Sequence, residues 1–345
     1  ANTLRELITH PRTKKIYDQR EILEVLDTCV SCKACKSECP SNVDIARFKA
    51  EFLQQHYDVC GVPMKAFLIA RLTEIQRLGT ILPWFYNAIV RNRMTGNMLK
   101  RVLHFAPKRT IPTLYKTTLK HWLGRYRQKN RAETVRKVFL FADEFTNYMD
   151  VEIGIKMIEL LDWLGYEVII PKHVESGRTS ISKGMLKVAK GVARENVLLL
   201  KDLVTENIPL VGIEPSCILS FRDEYPDLVG EDLKEEAVRL GKNCLLYDEF
   251  FIREIRAGRI QAEQFTDQPL KIMLHGHCHQ KSLASVAPSR EMLSLPVNYS
   301  VEVIPSGCCG MAGAFGYEKK HYELSMKIGE QVLFPAVRGA GENVC

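Results

Sequence analysis

Residues Val138–Pro171 read VFLFADEFTNYMDVEIGIKMIELLDWLGYEVIIP, and their periodicity decides the fold. Val138–Phe141 is a short, continuous apolar run, as in a strand buried on both faces. Ile155, Ile158, Leu161 and Leu164 then recur at helical spacing, and Gly165 stops the helix. Tyr166–Ile170 is a second strand, ended by Pro171. A long helix is predicted from about Ser182 to Val204, and a third strand over Pro209–Ile213 ends at Glu214-Pro215. Strands alternating with helices argue for a parallel, doubly wound sheet.

The same succession returns downstream. Lys271–Leu274 reads as a strand, Ser289–Leu295 as a short helix, Val301–Ile304 as a strand and Tyr317–Val337 as a helix. Glu342–Cys345 looks like the start of another strand. Two such repeats, about 138–225 and 271–345, set their strand-end loops around a shared cleft, where sheets of this kind bind ligands. Upstream the pattern is helical. Ile22, Leu23, Val25 and Leu26 form the stripe of a helix ending near Thr28. Ser41 or Asn42 is expected to cap a helix whose apolar face is Val43, Ile45, Phe48, Phe52 and Leu53. Pro63, Pro83, Pro107 and Pro112 punctuate the pieces that follow. The expected organisation is α+β. A helical domain covers 1–60 and a basic helical connector 61–137. A first repeat with its linker covers 138–270, and a second, cut short at its C-terminus, covers 271–345.

At 345 residues, 46% hydrophobic and 26% charged, the chain has a globular composition and room for two or three compact units. Its longest uncharged apolar stretch, Leu78–Val90, is shorter than the ~20 residues of a membrane span and holds Pro83. No signal-peptide pattern opens the chain, and its start at Ala1 rather than Met fits a processed or excised piece. Charge is uneven. Positions 61–137 carry 17 Lys and Arg against Glu74 and Glu133, a net of +15; with +7 overall, the flanks are left at −8. Trp84, Phe85, Tyr86, Trp122 and Tyr126 interleave this basic middle. A dock for a partner domain or a solvated face is the leading reading, ahead of an anionic membrane surface and of nucleic acid.

Cysteine is the loudest signal. Of 11 cysteines, four lie between Cys29 and Cys39 and three between Cys278 and Cys309. Such clusters without an export signal point to a reducing compartment and to metal. Cys60 and Cys244 stand alone among apolar neighbours and are expected to be buried small hydrophobes. The run Cys29-Val-Ser-Cys32-Lys-Ala-Cys35-Lys-Ser-Glu-Cys39-Pro40 has the bacterial ferredoxin spacing. Cys29, Cys32 and Cys35 can reach three irons of one [4Fe-4S] cubane, while Cys39 leaves toward a partner cluster. A zinc knuckle or redox thiols is the competing reading. With no second run of this kind, a fourth ligand is expected from upstream, and the chain reads as part of a longer polypeptide.

The second set comprises His275-Gly-His277-Cys278-His279-Gln-Lys281, Gly307-Cys308-Cys309-Gly310-Met-Ala-Gly313-Ala-Phe-Gly316 and, further on, Cys345. The glycines let backbone amides approach sulfur or iron closely. His277 and His279 flank Cys278, so a Cys/His zinc or iron site stays open beside an iron–sulfur one. No Gly-x-Gly-x-x-Gly follows a strand, and no hydrolytic triad has local support.

Cys278…Cys308-Cys309-Gly310…Cys345 resembles the CCG (cysteine-rich) domain. That domain occurs in heterodisulfide reductase, the glycolate oxidase iron–sulfur subunit and the anaerobic glycerol-3-phosphate dehydrogenase iron–sulfur subunit. Such proteins carry two CCG repeats after ferredoxin-type motifs, the order found here. More narrowly, Ala1-Asn-Thr-Leu-Arg-Glu-Leu7, the Cys29–Pro40 run, Phe141-Ala-Asp-Glu-Phe-Thr-Asn-Tyr148 and the CCG loop are similar to the C-terminal part of fused bacterial enzymes. Those enzymes join an FAD-linked oxidase domain to iron–sulfur domains and oxidise D-2-hydroxy acids. The resemblance implies an N-terminal helical, ferredoxin-like domain followed by two α/β CCG repeats, with FAD and substrate held upstream. It implies [4Fe-4S] ligation by Cys29, Cys32, Cys35 and Cys39. It also implies a second iron–sulfur or zinc set at Cys278, Cys308, Cys309 and Cys345, with His277 and His279 as candidates, whose CxxC finishes beyond Cys345. Electrons would pass from flavin, reduced by a lactate-, glycolate- or 2-hydroxyglutarate-type substrate, to a quinone or carrier protein. The chain alone would have no dehydrogenase activity. The implied location is cytoplasmic, with peripheral attachment to the inner face of the membrane left open. Heterodisulfide-reductase-like disulfide cleavage and a zinc-stabilised scaffold are the alternatives.

Repeat one departs from that pattern. Glu144 falls where Cys278 does, Glu175-Ser176-Gly177 where Cys308-Cys309-Gly310 does, and Glu214-Pro-Ser-Cys217 at the CxxC. Carboxylates do not suit iron–sulfur clusters, so none is expected there. The open readings are a vestigial pocket with these glutamates paired to Arg178 or Arg222, a hard-metal site, and a polar docking surface.

Overall fold

Val138, Leu140 and Phe141 are fully buried in β1 (Arg136–Phe141). This strand lies inside a four-stranded parallel sheet ordered β2-β1-β3-β4, with β2 at Tyr166–Ile169, β3 at Leu210–Gly212 and β4 at Cys244–Leu246. Val138 stands opposite Val168, Leu140 opposite Val211 and Leu210 opposite Cys244. Alternate residues feed two cores. Val138, Leu140 and Val211 pack with Ile158 and Leu161 of the Val151–Trp163 helix and with Phe250. Phe141, Leu210 and Leu246 pack with Val197, Leu200, Phe221 and Tyr225. Each fully buried side chain of this size contributes about 1.5–3 kcal/mol, so both faces of the sheet must be covered. The architecture is α+β around a small parallel sheet. The computed structural model describes Thr9 and residues 20–128, 136–341 and 344–345; Ala1–Leu7 and positions 342–343 lie outside the described residues.

The segment expected to form the second repeat places its strands in a similar order. β5 (Leu270–Leu274) pairs in parallel with β6 (Tyr299–Val303). On its other edge Val344 bridges Lys271 in parallel, the Cys345 amide donates to the Lys271 carbonyl at 2.9 Å, and the Met273 amide donates to the Cys345 carbonyl at 2.9 Å. The expected strand at the chain's end is thus represented by a parallel bridge, in the place β3 takes beside β1.

Several expectations are corrected. The helix predicted over Ser182–Val204 is two, Arg178–Ser182 and Leu186–Leu200. Gly184 breaks it at a φ of +72°, where a Cβ would stand 2.3 Å from Leu53 Cβ. The break lets the Ile45–Cys60 helix come close. That helix is capped not by Ser41 or Asn42 but by Asp44, whose side chain accepts from the Arg47 amide at 3.0 Å. Phe48 is 48% exposed, and Ala46, Ala50 and Phe52 carry the buried face instead. The helix predicted over Tyr317–Val337 is divided into Tyr322–Gln331 and Leu333–Gly339, preceded by two 3-10 turns. Pro335 has no amide to continue the ladder, and Glu318 is held extended by its bridge to Phe105. Cys60 is exposed at a helix end, whereas Cys244 is buried in β4, a strand the periodicity did not show.

Between the two cysteine regions run short helices, among them Met64–Ala70, Leu72–Gly79, Pro83–Arg91, Arg93–Val102 and Leu119–Arg125. Asn92 caps the fourth, its side chain accepting from the amides of Met94 at 2.9 Å and Thr95 at 3.2 Å. Asn92→Ala is expected to cost about 1 kcal/mol in denaturant unfolding, with an unchanged m-value. Leu119, fully buried, carries the fifth helix into the core under Val151–Trp163.

Candidate metal centre

The Cys29–Cys39 loop is folded by its own backbone. Ser31, Lys33 and Asn42 hold positive φ of 52°, 62° and 54°, uncommon for non-glycine residues and a means of turning successive amides inward. The Ile45 amide donates to Cys35 Sγ at 3.3 Å. Amides of Val43, Ser41 and Asn42 face Cys39 and hold its thiol below the ordinary value. Burial pushes Cys32 up, opposed by the Ala34 amide. Amides aimed at sulfur stabilise thiolate and tune a cluster, so this loop fits the group its spacing implies.

Cys278 opens the Cys278–Leu283 helix, capped by His277, whose Nδ1 accepts from the His279 amide at 3.2 Å. Its Sγ lies 3.9 Å from Cys308 Sγ, which also receives the Gly310 amide at 3.3 Å. Gly310 has a φ of +84°, and a Cβ there would stand 2.1 Å from the Ser325 carbonyl oxygen; only glycine fits. Lys281 Nζ donates to the carbonyls of Ser306 at 2.5 Å and Gly307 at 2.8 Å, tying this loop to the Cys278 helix. Hydrogen bonding to Cys308 pushes the Cys309 thiol up to about 11, against the pull of His275. His275 Nδ1 is 2.6 Å from Ser306 Oγ.

The other two histidines point elsewhere. His277 Nε2 lies 3.7 Å from Glu214 Oε1, toward the first repeat, and burial pushes its pKa down to about 4. Burial takes His279 to about 3, and its Nε2 has no hydrogen-bond partner. Both rings are neutral at pH 7, the form in which imidazole ligates metal. Cys345 is exposed at the edge of β5.

The two cysteine sets meet. Ser282, on the Cys278 helix, donates its hydroxyl to the Cys32 carbonyl at 3.0 Å, and the Ala34–Glu38 helix packs on this same helix. The charge of Cys308 is felt at Cys32, and that of Cys32 at Cys278. Thiols far apart in sequence, Cys32 beside Cys278 and Cys308, are thus brought close enough to interact.

In the segment expected to form the first repeat, Glu144 is buried and bonded to Ser176, accepting from its amide at 2.9 Å and its hydroxyl at 2.7 Å. Gly177 has a φ of +72°, the left-handed counterpart of Gly310. Ligand atoms of Asp143, Glu144 and Cys217, all buried, lie within 4.8 Å of one another. Burial pushes Asp143 and Glu144 each up to about 7 and Cys217 well above the ordinary thiol value. The expected pairing of these glutamates is corrected: Arg178 binds Glu224 at 2.6 Å and Arg222 pairs with Glu249. Desolvation makes the neutral, hydrogen-bonded carboxyl the cheaper state for Asp143 and Glu144 below about pH 7.

Sequence reading missed the charged residues that surround the first loop. Lys33 pairs with Asp44, Asp223 and Glu224, and Lys49 donates to the Cys29 carbonyl at 2.7 Å. Asp27 accepts from His321 Nε2 at 2.8 Å. A lysine inside a ferredoxin run looks solvent-facing in sequence, and nothing local marks a partner 190 residues away.

The chain is similar to D-2-hydroxyglutarate dehydrogenase of Escherichia coli (strain K12), 25% identical across 99% of this chain and 34% of the relative. It is similar to one of the subunits of the anaerobic glycerol-3-phosphate dehydrogenase of the same organism, 25% identical across 88% of this chain and 75% of that relative. Lactate utilization protein A of Bacillus subtilis (strain 168) is 27% identical across 60% of this chain and 90% of that protein. The resemblance carried by the cysteine motifs is borne out by these relatives, the first of which is named as a dehydrogenase and the second as a dehydrogenase subunit. The chain spans about a third of the length of the D-2-hydroxyglutarate dehydrogenases it matches. No family model matches, and no solved structure matches.

Proposed function

We propose that the chain is the iron–sulfur electron-transfer part of an FAD-linked D-2-hydroxyacid dehydrogenase, handing electrons from flavin to a quinone or carrier. The observation that carries this reading is the meeting of two amide-cradled cysteine sets around the Cys278–Leu283 helix. A [4Fe-4S] cluster on the first set would supply one-electron steps between a two-electron flavin and its acceptor. Cys29, Cys32, Cys35 and Cys39 are its proposed ligands. Cys278, Cys308, Cys309 and Cys345 form the second set, for iron–sulfur or zinc, with neutral His277 and His279 in reserve. The chain's own part is to aim amides at sulfur and to hold the two loops in contact.

The proposed organisation is a ferredoxin-type domain over 1–60, a basic connector over 61–137, a degenerate CCG repeat with linker over 138–270 and a second repeat over 271–345. The connector exposes Ile81, Trp84, Phe85 and Met94 beside Arg77, Arg91 and Arg93, a face suited to the flavin domain. Among the described residues no helix is long and apolar enough to cross a membrane. A cytoplasmic location is proposed, and vesicle flotation tests peripheral attachment.

EPR of anaerobically reconstituted protein tests the reading. A reducible cubane signal supports electron transfer. A radical-like signal that appears only with bound thiol supports disulfide cleavage, and silence with stoichiometric zinc supports a scaffold.

A further inference from the structure

Lys33 lies between Cys32 and Cys35, yet only 3% of its side chain is exposed. Its Nζ is 3.2 Å from Asp44 Oδ2 and 2.9 Å from Glu224 Oε1, and it also pairs with Asp223. Glu224 binds Arg178 Nη1 at 2.6 Å, and Asp223 also pairs with Lys36. Three cations and three carboxylates thus form one balanced network, the condition for burying charge without a large penalty.

The placement of these groups is informative. Arg178 follows Gly177, the left-handed counterpart of the CCG glycine. Asp223 and Glu224 close the helical segment that starts at Glu214-Pro-Ser-Cys217. Arg178 directly follows one stretch where the intact pattern carries thiols, and Asp223 and Glu224 lie on the helical segment that leaves the other. Asp44 caps the helix leaving the cysteine run. Lys33 also holds a left-handed backbone that glycine would adopt at no cost. Three carboxylates, those of Asp44, Asp223 and Glu224, surround its ammonium.

We propose that repeat one acts as a charged socket that seats the cysteine loop through Lys33. Lys33 is a positioning residue: it fixes Cys32 and Cys35 against the second repeat and places a buried positive charge beside them. The redox consequence rests on the reading of Cys29, Cys32 and Cys35 as cluster ligands; the seating does not. A positive charge next to a centre favours the added electron, so its removal lowers the midpoint potential.

The test uses the full chain, first reduced and metal-free. In Lys33→Met protein, alkylation of Cys32 and Cys35, followed by peptide mass spectrometry relative to exposed Cys60, should quicken about tenfold as the loop opens locally. The pair Lys33→Met with Asp223→Asn keeps charge balanced, and it should show the same quickening if the single variant does not fold. In the parent, Lys33 should react with an amine-acylating reagent at least about tenfold more slowly than exposed Lys190. After anaerobic reconstitution, the variant's midpoint potential should fall below the parent's. Parental alkylation rates in a folded variant, or equal acylation of Lys33 and Lys190, overturn the socket. An iron-free parent with protected Cys32 and Cys35 would sink the electron-transfer reading and leave the socket standing.

Discussion

Cys32→Ser protein, reconstituted anaerobically, should fail to develop the visible absorbance and reducible EPR signal of the parent while unfolding cooperatively. Cys32 is central to the account because its backbone carbonyl takes the Ser282 hydroxyl and its sulfur lies among those of Cys29, Cys35 and Cys308. A serine oxygen is a harder, poorer ligand for iron–sulfur chemistry than thiolate. Removing a ligand should cost more than the ~10–100-fold in metal affinity set by outer hydrogen-bond partners. Cys217→Ser is the control: it sits in repeat one among Asp143 and Glu144, where no cluster is expected. Unchanged iron in Cys32→Ser, or iron lost only from Cys217→Ser, would reverse the assignment.

The second large effect concerns stability and pH. Asp143 and Glu144 titrate near 7 in the folded chain, raised by burial from ordinary carboxyl values of 3.8 and 4.5. Between pH about 4 and 7 the native state holds protons that the unfolded state has released. Their contribution is therefore fully present below pH 4, falls as pH rises, and levels off above 7. The loss is on the order of 3–4 kcal/mol per independent proton. Glu144→Gln keeps the side chain's shape and can still bond to Ser176, but it carries no charge. Relative to the parent it should gain about 3 kcal/mol between pH 5 and 8, read by denaturant melts at each pH. Comparing the two proteins removes the opposite trend from His173 and His279, both pushed to about 3 by burial. Parallel stability curves for the two proteins would contradict the neutral-carboxyl reading.

Much of the sheet was legible because β1 holds a continuous apolar run, Val138–Phe141, and β2 is bounded by Gly165 and Pro171. β4 was not, since Cys244–Leu246 is three residues long and offers no period to read. The break at Gly184 was equally hidden: what forbids a continuous helix is Leu53, on a helix far upstream. The same division runs through the site. Ligand spacing in Cys29–Cys39 is local chemistry and shows directly in sequence. That Ser282 reaches Cys32, and that Asp223 and Glu224 receive Lys33, depends on docking three segments no local pattern connects. The glutamates of repeat one were found by aligning strands, but their partners depended on which charges the fold could afford to bury.

Iron, acid-labile sulfide and zinc, measured on the longest polypeptide containing this chain after strictly anaerobic purification, test the central claim most directly. The account predicts a brown protein with about four iron atoms and matching sulfide for the cubane alone. Colourless protein with zinc and no iron would contradict it.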